Sequence, residues 1–200
     1  SRGIFRPRVN MSLTQDERDA LTKVEVLKDL EPVVREMRLD HEAKRELRFP
    51  SDLLGPPTGE DPEAHRRGMQ KRAEGIPDHA RAALALNTLT EEGLPHFHRL
   101  LAVHLGDDSH WRHWNNLWPA EEDRHGQVLH DYTRDTRIFE QRRIEEMQFE
   151  YLKAGFHPEW DRDPYRVFVY TTVQERATQF SHAETGKVIG EYEPRLAEVL

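Results

Sequence analysis

Residues 118–126 read Trp118-Pro119-Ala120-Glu121-Glu122-Asp123-Arg124-His125-Gly126 and set a carboxylate and an imidazole three residues apart inside a long helical pattern. At helical spacing, Trp111, Trp114, Trp118, Glu122, His125, Leu129 and Tyr132 share one face. Two ionisable groups therefore interrupt an aromatic stripe. Burying an unpaired charge is costly, so the pair needs a metal ion, a counter-charge or each other. A lone Glu-x-x-His is more often a boundary pair bonded to neighbouring helices, and the rest of the chain has to decide between the two.

Two further carboxylates shift the balance. A helix is expected after Ile76-Pro77-Asp78, with the face Leu84, Asn87, Glu91, Leu94, His98, Leu101 and Leu105 spaced alternately by three and four. Glu91 lies on that stripe, and Pro95 is expected to bend the helix one turn later, before Gly106-Asp107-Asp108 ends it. Pro119 either kinks the Trp-rich helix or marks a late start. Another helix opens at Asp163-Pro164 and runs to about Gly186, with Tyr165, Phe168, Thr172, Glu175, Thr178 or Gln179, and His182 on one side. Glu91, Glu122 and Glu175 thus sit near the middle of three separate helices, one with a His at i+3. Carboxylate-bridged di-iron and di-manganese bundles use a Glu from each of two helices and a Glu-x-x-His from each of two others. Glu91 and Glu175 fit the single positions, and Glu122 with His125 fits one pair.

The remaining chain is helical with breaks. Thr14-x-x-Glu17 is a capping signal for a helix to about Leu47, with Leu21, Val24, Leu27, Leu30 and Val34 as its apolar side. Residues 49–62 hold four prolines and two glycines and are expected to form an extended loop. A fourth pattern, with Ile138, Ile144, Met147 and Tyr151, covers 137–154, and Gly155-Phe156-His157-Pro158 breaks it. Pro194 is placed to start a last helix after a turn over 187–193. Residues 1–13, with three Arg in the first ten and Met11 as a plausible natural start, are expected to be disordered or artificially added; 14–200 form the domain.

Composition bounds the chemistry. The chain has 200 residues, 33% charged and 36% hydrophobic, a net charge of −8 and no cysteine. Thiolate zinc, iron–sulfur clusters and a Cys nucleophile are excluded, so any metal sits on Glu, Asp and His. The charge gives no reason to expect nucleic acid, and no apolar run approaches the ~20 residues of a membrane helix. A soluble intracellular protein is the default expectation. Lys44, Arg45, Arg48, Arg66, Arg67, Lys71 and Arg72 crowd around the Pro-rich stretch as a candidate docking patch for an acidic partner.

Three blocks carry a resemblance: Leu89-Thr90-Glu91-Glu92-Gly93-Leu94-Pro95, Trp118 to Gly126 as quoted above, and Tyr170-Thr171-Thr172-Val173-Gln174-Glu175-Arg176-Ala177-Thr178. In order and spacing, from about Leu30 to Leu200, the chain resembles the soluble acyl-acyl-carrier-protein desaturases. The resemblance implies an all-α, ferritin-like helical bundle, seen here without its C-terminal helices. It implies a non-haem di-iron centre that uses O2 to introduce a double bond into a carrier-bound acyl chain. Acyl carrier protein, a ferredoxin-type electron donor and a second copy in a homodimer are the implied partners. Carried over by position, Glu91, Glu122, His125 and Glu175 would bind iron, and Thr178 would lie beside the oxygen-binding face as a catalytic residue. The second Glu-x-x-His is expected ~4 to 11 residues after Leu200, from helix rise alone. Gly93, Pro119 and Arg48 depart from the family pattern, where Ala, Thr and an aromatic residue are usual. Two other readings stay open: a di-iron oxygenase of a specialised metabolite, and a metal-free helical binding or structural protein.

Overall fold

A computed structural model describes residues 14–105, 109–159 and 163–200, apart from the side chain at 22. The leader 1–13 and the Gly106-Asp107-Asp108 stop lie outside the described residues. All regular structure among the described residues is helical: α1 (Gln15–Lys44), α2 (Pro50–Leu54), α3 (Pro62–Ala73), α4 (Asp78–Glu91), α5 (Leu94–Ala102), α6 (His110–Thr136), α7 (Gln141–Ala154), α8 (Pro164–Ile189) and α9 (Pro194–Val199).

Most ends follow from local chemistry. Thr14 and Glu17 form a reciprocal capping box. Asp61 caps α3, Ser109 caps α6 and Asp163 caps α8, while Pro194 occupies the first turn of α9. Four expectations change. The first helix ends at Lys44 rather than Leu47, where Arg45 turns extended. The stretch 49–62 is not one extended loop. Pro50 opens α2, the Asp52 carboxylate accepts from the Phe49 amide at 3.0 Å, and Leu54 is buried. The pattern from 137 starts late, because Arg137 adopts φ 55° and ends α6 before α7 can begin.

The fourth change concerns the helix of Glu91, which breaks instead of bending. Pro95 has no amide hydrogen to offer the Glu91 carbonyl, so α4 stops there and α5 restarts at Leu94. The Gly93 amide closes the last turn by donating to Thr90 O at 3.0 Å. A Cβ on Gly93 would stand 2.7 Å from the Tyr151 hydroxyl and 3.1 Å from the Thr90 carbonyl, which explains glycine at this position. Pro119, in contrast, is absorbed inside a continuous α6.

Two apolar cores result. One gathers Ile76, Leu84, Val128, Leu129, Tyr132, Ile189 and Leu196 from α4, α6, α8, α9 and the approach to α4. The other gathers Leu100, Leu101, Leu105 and Val167, with Trp111, Trp114, Trp118 and Phe168 packed on it. Trp114 and Trp118 stack at 5.9 Å, and Trp111 lies 5.0 Å from Phe168. Along α6, Glu122 and His125 fall between the tryptophans of one core and Val128 of the other. Along α8, Glu175, Thr178 and His182 fall between Val167 and Ile189. Glu91 falls between Leu84 and Leu100. A polar band thus crosses the bundle between two apolar layers.

Helix α1 lies outside these layers. Leu21, Val24 and Leu30, expected on its apolar side, are largely exposed, and Leu27 is the member that packs on the tryptophan core. Polar ties hold α1 to α6: Trp111 Nε1 donates to Leu27 O at 2.9 Å, Glu31 accepts from the His110 amide at 2.9 Å, and Glu121 pairs with His41 and Arg45.

One ion pair closes the lower core. Glu193 is 1% exposed and accepts from Arg72 Nε at 2.8 Å. The hydroxyl of buried Tyr132 lies without a hydrogen-bond partner nearby, its proton affinity raised by burial and then by the Glu193 charge. Arg72→Ala should therefore lower stability in urea unfolding by roughly 2–3 kcal/mol, below the ~3–5 kcal/mol of a fully buried pair because Arg72 is partly solvated. Arg72→Met combined with Glu193→Gln should recover most of that loss.

Candidate metal centre

Glu91 ends α4 and Glu122 and His125 lie one turn apart on α6, so the close packing of α4 on α6 brings the three together. One donor atom from each lies within 4.8 Å of the others. His125 Nδ1 stands 3.0 Å from Glu122 Oε2 and 3.9 Å from Glu91 Oε2. Helix α8 supplies Glu175 and Thr178 to the same cavity of about 400 Å³. All five residues singled out from the sequence thus line one cavity. Apolar Leu53, Val128, Leu129, Val199 and Leu200 also line it, together with Arg48 and Arg124.

The electrostatics are those of a site short of positive charge. Burial raises the Glu175 carboxyl to about 7, helped by the charges of Glu122 and Glu91. Glu175 as a residue is exposed, and its carboxyl end is the part that feels the other acids. His125 is raised by its hydrogen bond to Glu122, against the opposing effect of burial. Protons thus stand where a cation would relieve three crowded carboxylates. Hard oxygen donors with one imidazole suit iron or manganese rather than a thiophilic ion. The residues present fit such a metal.

His182, placed on the α8 face without a role, lies 2.8 Å through Nε2 from Glu91 Oε1. Its seven-residue spacing from Glu175, two helical turns, was the available signal. Trp118 lines a recess with Glu122, Glu175 and Thr178. Glu92, next to Glu91, lines a neighbouring recess with Asp123, Gly126 and Gln148, where burial raises its carboxyl to about 7 and one oxygen has no partner among the described residues. The Thr178 hydroxyl donates to the Glu175 carbonyl at 3.0 Å.

The raised Glu175 fixes a pH dependence. A carboxyl with a folded pKa above its unfolded value stabilises fully below the unfolded pKa of ~4.3 and loses that contribution as pH rises through about 7. In metal-free protein, Glu175→Gln should raise the melting temperature at pH 8. The gain is about 2–4 °C, from ~1 kcal/mol after discounting for solvent screening, and should vanish near pH 4. Calorimetry at the two pH values checks this.

The comparisons with known proteins follow this geometry. A family model described as fatty acid desaturase matches residues 22–200. Acyl-acyl-carrier-protein desaturase 6, chloroplastic, of Oryza sativa subsp. japonica is 36% identical over 179 residues, covering 84% of this chain and 43% of the relative. Stearoyl-acyl-carrier-protein 9-desaturase, chloroplastic, of Spinacia oleracea is 33% identical over 178 residues, covering 85% and 45%. Palmitoyl-acyl-carrier-protein 4-desaturase 3, chloroplastic, of Ophrys sphegodes matches with the same identity and coverage. The chain spans about half the length of the curated relatives it matches. With a match across nearly all of its length and an all-α bundle to carry it, the chain belongs to the fatty acid desaturase family, among relatives that are acyl-acyl-carrier-protein desaturases.

Proposed function

We propose that the complete protein is an acyl-acyl-carrier-protein desaturase, introducing a double bond into a carrier-bound fatty acyl chain with O2 and electrons from a ferredoxin-type donor. The observation that carries this reading is the convergence of Glu91, Glu122, His125 and Glu175, from three helices, on one cavity that also has apolar side chains in its lining. Those four residues would hold iron. Bound iron would supply the O2 activation that removal of hydrogen from an unactivated chain requires. The protein's own contribution is positional. Glu91, Glu122 and Glu175 concentrate negative charge that would retain the ions, and His125 would give up its proton to serve as a neutral donor. Leu53, Val128, Leu129 and Val199 offer an aliphatic chain apolar contacts beside those acids. Thr178 places a hydroxyl one turn beyond Glu175. A homodimer is part of the same reading. No helix of the described residues is long and apolar enough to cross a membrane, which agrees with a substrate delivered on a carrier and with action in the cytoplasm or a plastid stroma.

Carrier docking would use the basic residues around α2 and α3, with a smaller set than the sequence suggested. Arg45 is engaged with Glu121 and Arg72 with Glu193, so both serve internal packing. Lys44, Arg48, Arg66 and Arg67 are exposed, with only local acidic partners at Asp40, Glu46 and Glu63. Lys71 completes the set offered to an acidic carrier.

Two experiments test the reading. The complete gene product should hold about two irons per chain and, with ferredoxin, its reductase and O2, yield monounsaturated acyl chains by gas chromatography and mass spectrometry. Glu122→Ala and His125→Ala should each lose iron and lower turnover by at least about 100-fold with the circular dichroism of the helices retained. An iron-loaded protein with no desaturation of any carrier-bound chain would overturn the assignment. Charge reversal at Lys44, Arg66 and Arg67 should raise the carrier-dependent KM several-fold at low salt and leave kcat unchanged, an effect that fades once the Debye length falls below ~10 Å.

A further inference from the structure

Glu91 lines the cavity with its two carboxylate oxygens in different surroundings. Oε1 lies 2.8 Å from His182 Nε2, while Oε2 faces His125 Nδ1 at 3.9 Å. The side chains of Glu91 and His182 are 11% and 15% exposed, the least exposed ionisable pair in the cavity. A glutamate carboxylate turns on three side-chain bonds, and among the described residues the Glu91 carboxylate, at the last residue of a helix, has no other hydrogen bond to choose between its rotamers. His182 supplies that choice. It holds Oε1 from α8 and thereby turns Oε2 toward Glu122 and His125.

The rung below keeps the two helices in register for this contact. One turn before Glu91, Asn87 is buried between α4 and α8, donating to Thr185 Oγ1 at 3.3 Å and accepting from Ser181 Oγ at 3.0 Å. The α4–α8 contact is thus a polar ladder of two rungs, Asn87 with Ser181 and Thr185, and Glu91 with His182. The lower rung has no ionisable member and points at no donor of the cavity. The upper rung ends on a residue whose second oxygen does.

We propose that His182 is a positioning residue: by donating Nε2–H to Glu91 Oε1 it fixes the Glu91 carboxylate with Oε2 presented to the metal. This rests on the reading of Glu91 as a metal ligand. Residues that orient a ligand through its remaining polar atom typically contribute 10–100-fold to metal affinity. Glutamine can place an amide nitrogen near the site of Nε2 and should substitute for the imidazole, whereas alanine cannot.

The test is a Co2+ titration of the purified complete gene product, followed by the visible ligand-field bands and by calorimetry, for wild type, His182→Ala, His182→Gln and Ser181→Ala. Expected are a Co2+ affinity at least 10-fold weaker in His182→Ala and within about threefold of wild type in His182→Gln, with the wild-type band positions kept in the latter. Ser181→Ala, which loses a hydrogen bond of the lower rung, should lower the melting temperature and leave Co2+ affinity within about twofold. Unchanged affinity in His182→Ala overturns the proposal. So does an equal loss of affinity in Ser181→Ala, which would assign the effect to helix packing. Shifted bands with weak binding in His182→Gln would make His182 itself a ligand and overturn the positioning role. A wild-type protein that takes up no Co2+ would remove the metal reading, and this proposal with it.

Discussion

The structure depends on the cost of placing three carboxylates side by side. Glu91, Glu122 and Glu175 reach one cavity from α4, α6 and α8, and the mutual repulsion is visible in Glu175, whose carboxyl is held near neutral pH by burial and by its two acidic neighbours. Such crowding persists only when something on either side holds it. Here the holders are two apolar layers, the Leu84, Leu129 and Ile189 core and the tryptophan-lined core around Leu101 and Val167. Helices bound at both ends by packed side chains cannot splay apart to separate the charges.

The same arrangement explains why breaks in the chain fall where they do. Pro95 ends α4 at Glu91, so this ligand candidate sits at a helix terminus with its carbonyl free of an internal bond, and α5 can turn to cover the tryptophans. Pro119 lies inside α6 without interrupting it, and the helix carries Trp118, Glu122 and His125 in unbroken register. One proline coincides with a helix break and the other does not; at the first, Gly93 two residues earlier leaves room for the Tyr151 ring.

Helix α1 shows a different balance. Its expected apolar stripe is mostly in water, and its attachment to α6 uses a tryptophan N–H, a backbone amide and the Glu121 ion pairs. Burial pulls Glu121 toward the neutral form, but His41 and Arg45 together lower its proton affinity. Glu121 and Glu122 are adjacent and turned ~100° apart on α6: one ties the outer helix, the other faces the cavity. Arg45 and Arg72, read as part of a docking patch, are likewise structural.

Much of the site was legible in the sequence because helical spacing is a local property. Glu91, Glu122, His125 and Glu175 could each be assigned to an inward face from neighbours three and four residues away, and the Thr14 box, Asp163-Pro164 and Pro194 marked helix ends by chemistry within one turn. What the sequence by itself determined, then, was an all-helical chain with acids and one imidazole placed at helical spacing near the middle of three long helical patterns. The tertiary structure decided the rest: that 49–62 folds a turn around Pro50, that α4 and α5 part at Gly93, that α1 stays outside, and that His182 meets Glu91 from 91 residues away. These depend on which helices approach and at what height, and helix packing is set by side-chain volumes summed over whole interfaces, which no window of one helix contains.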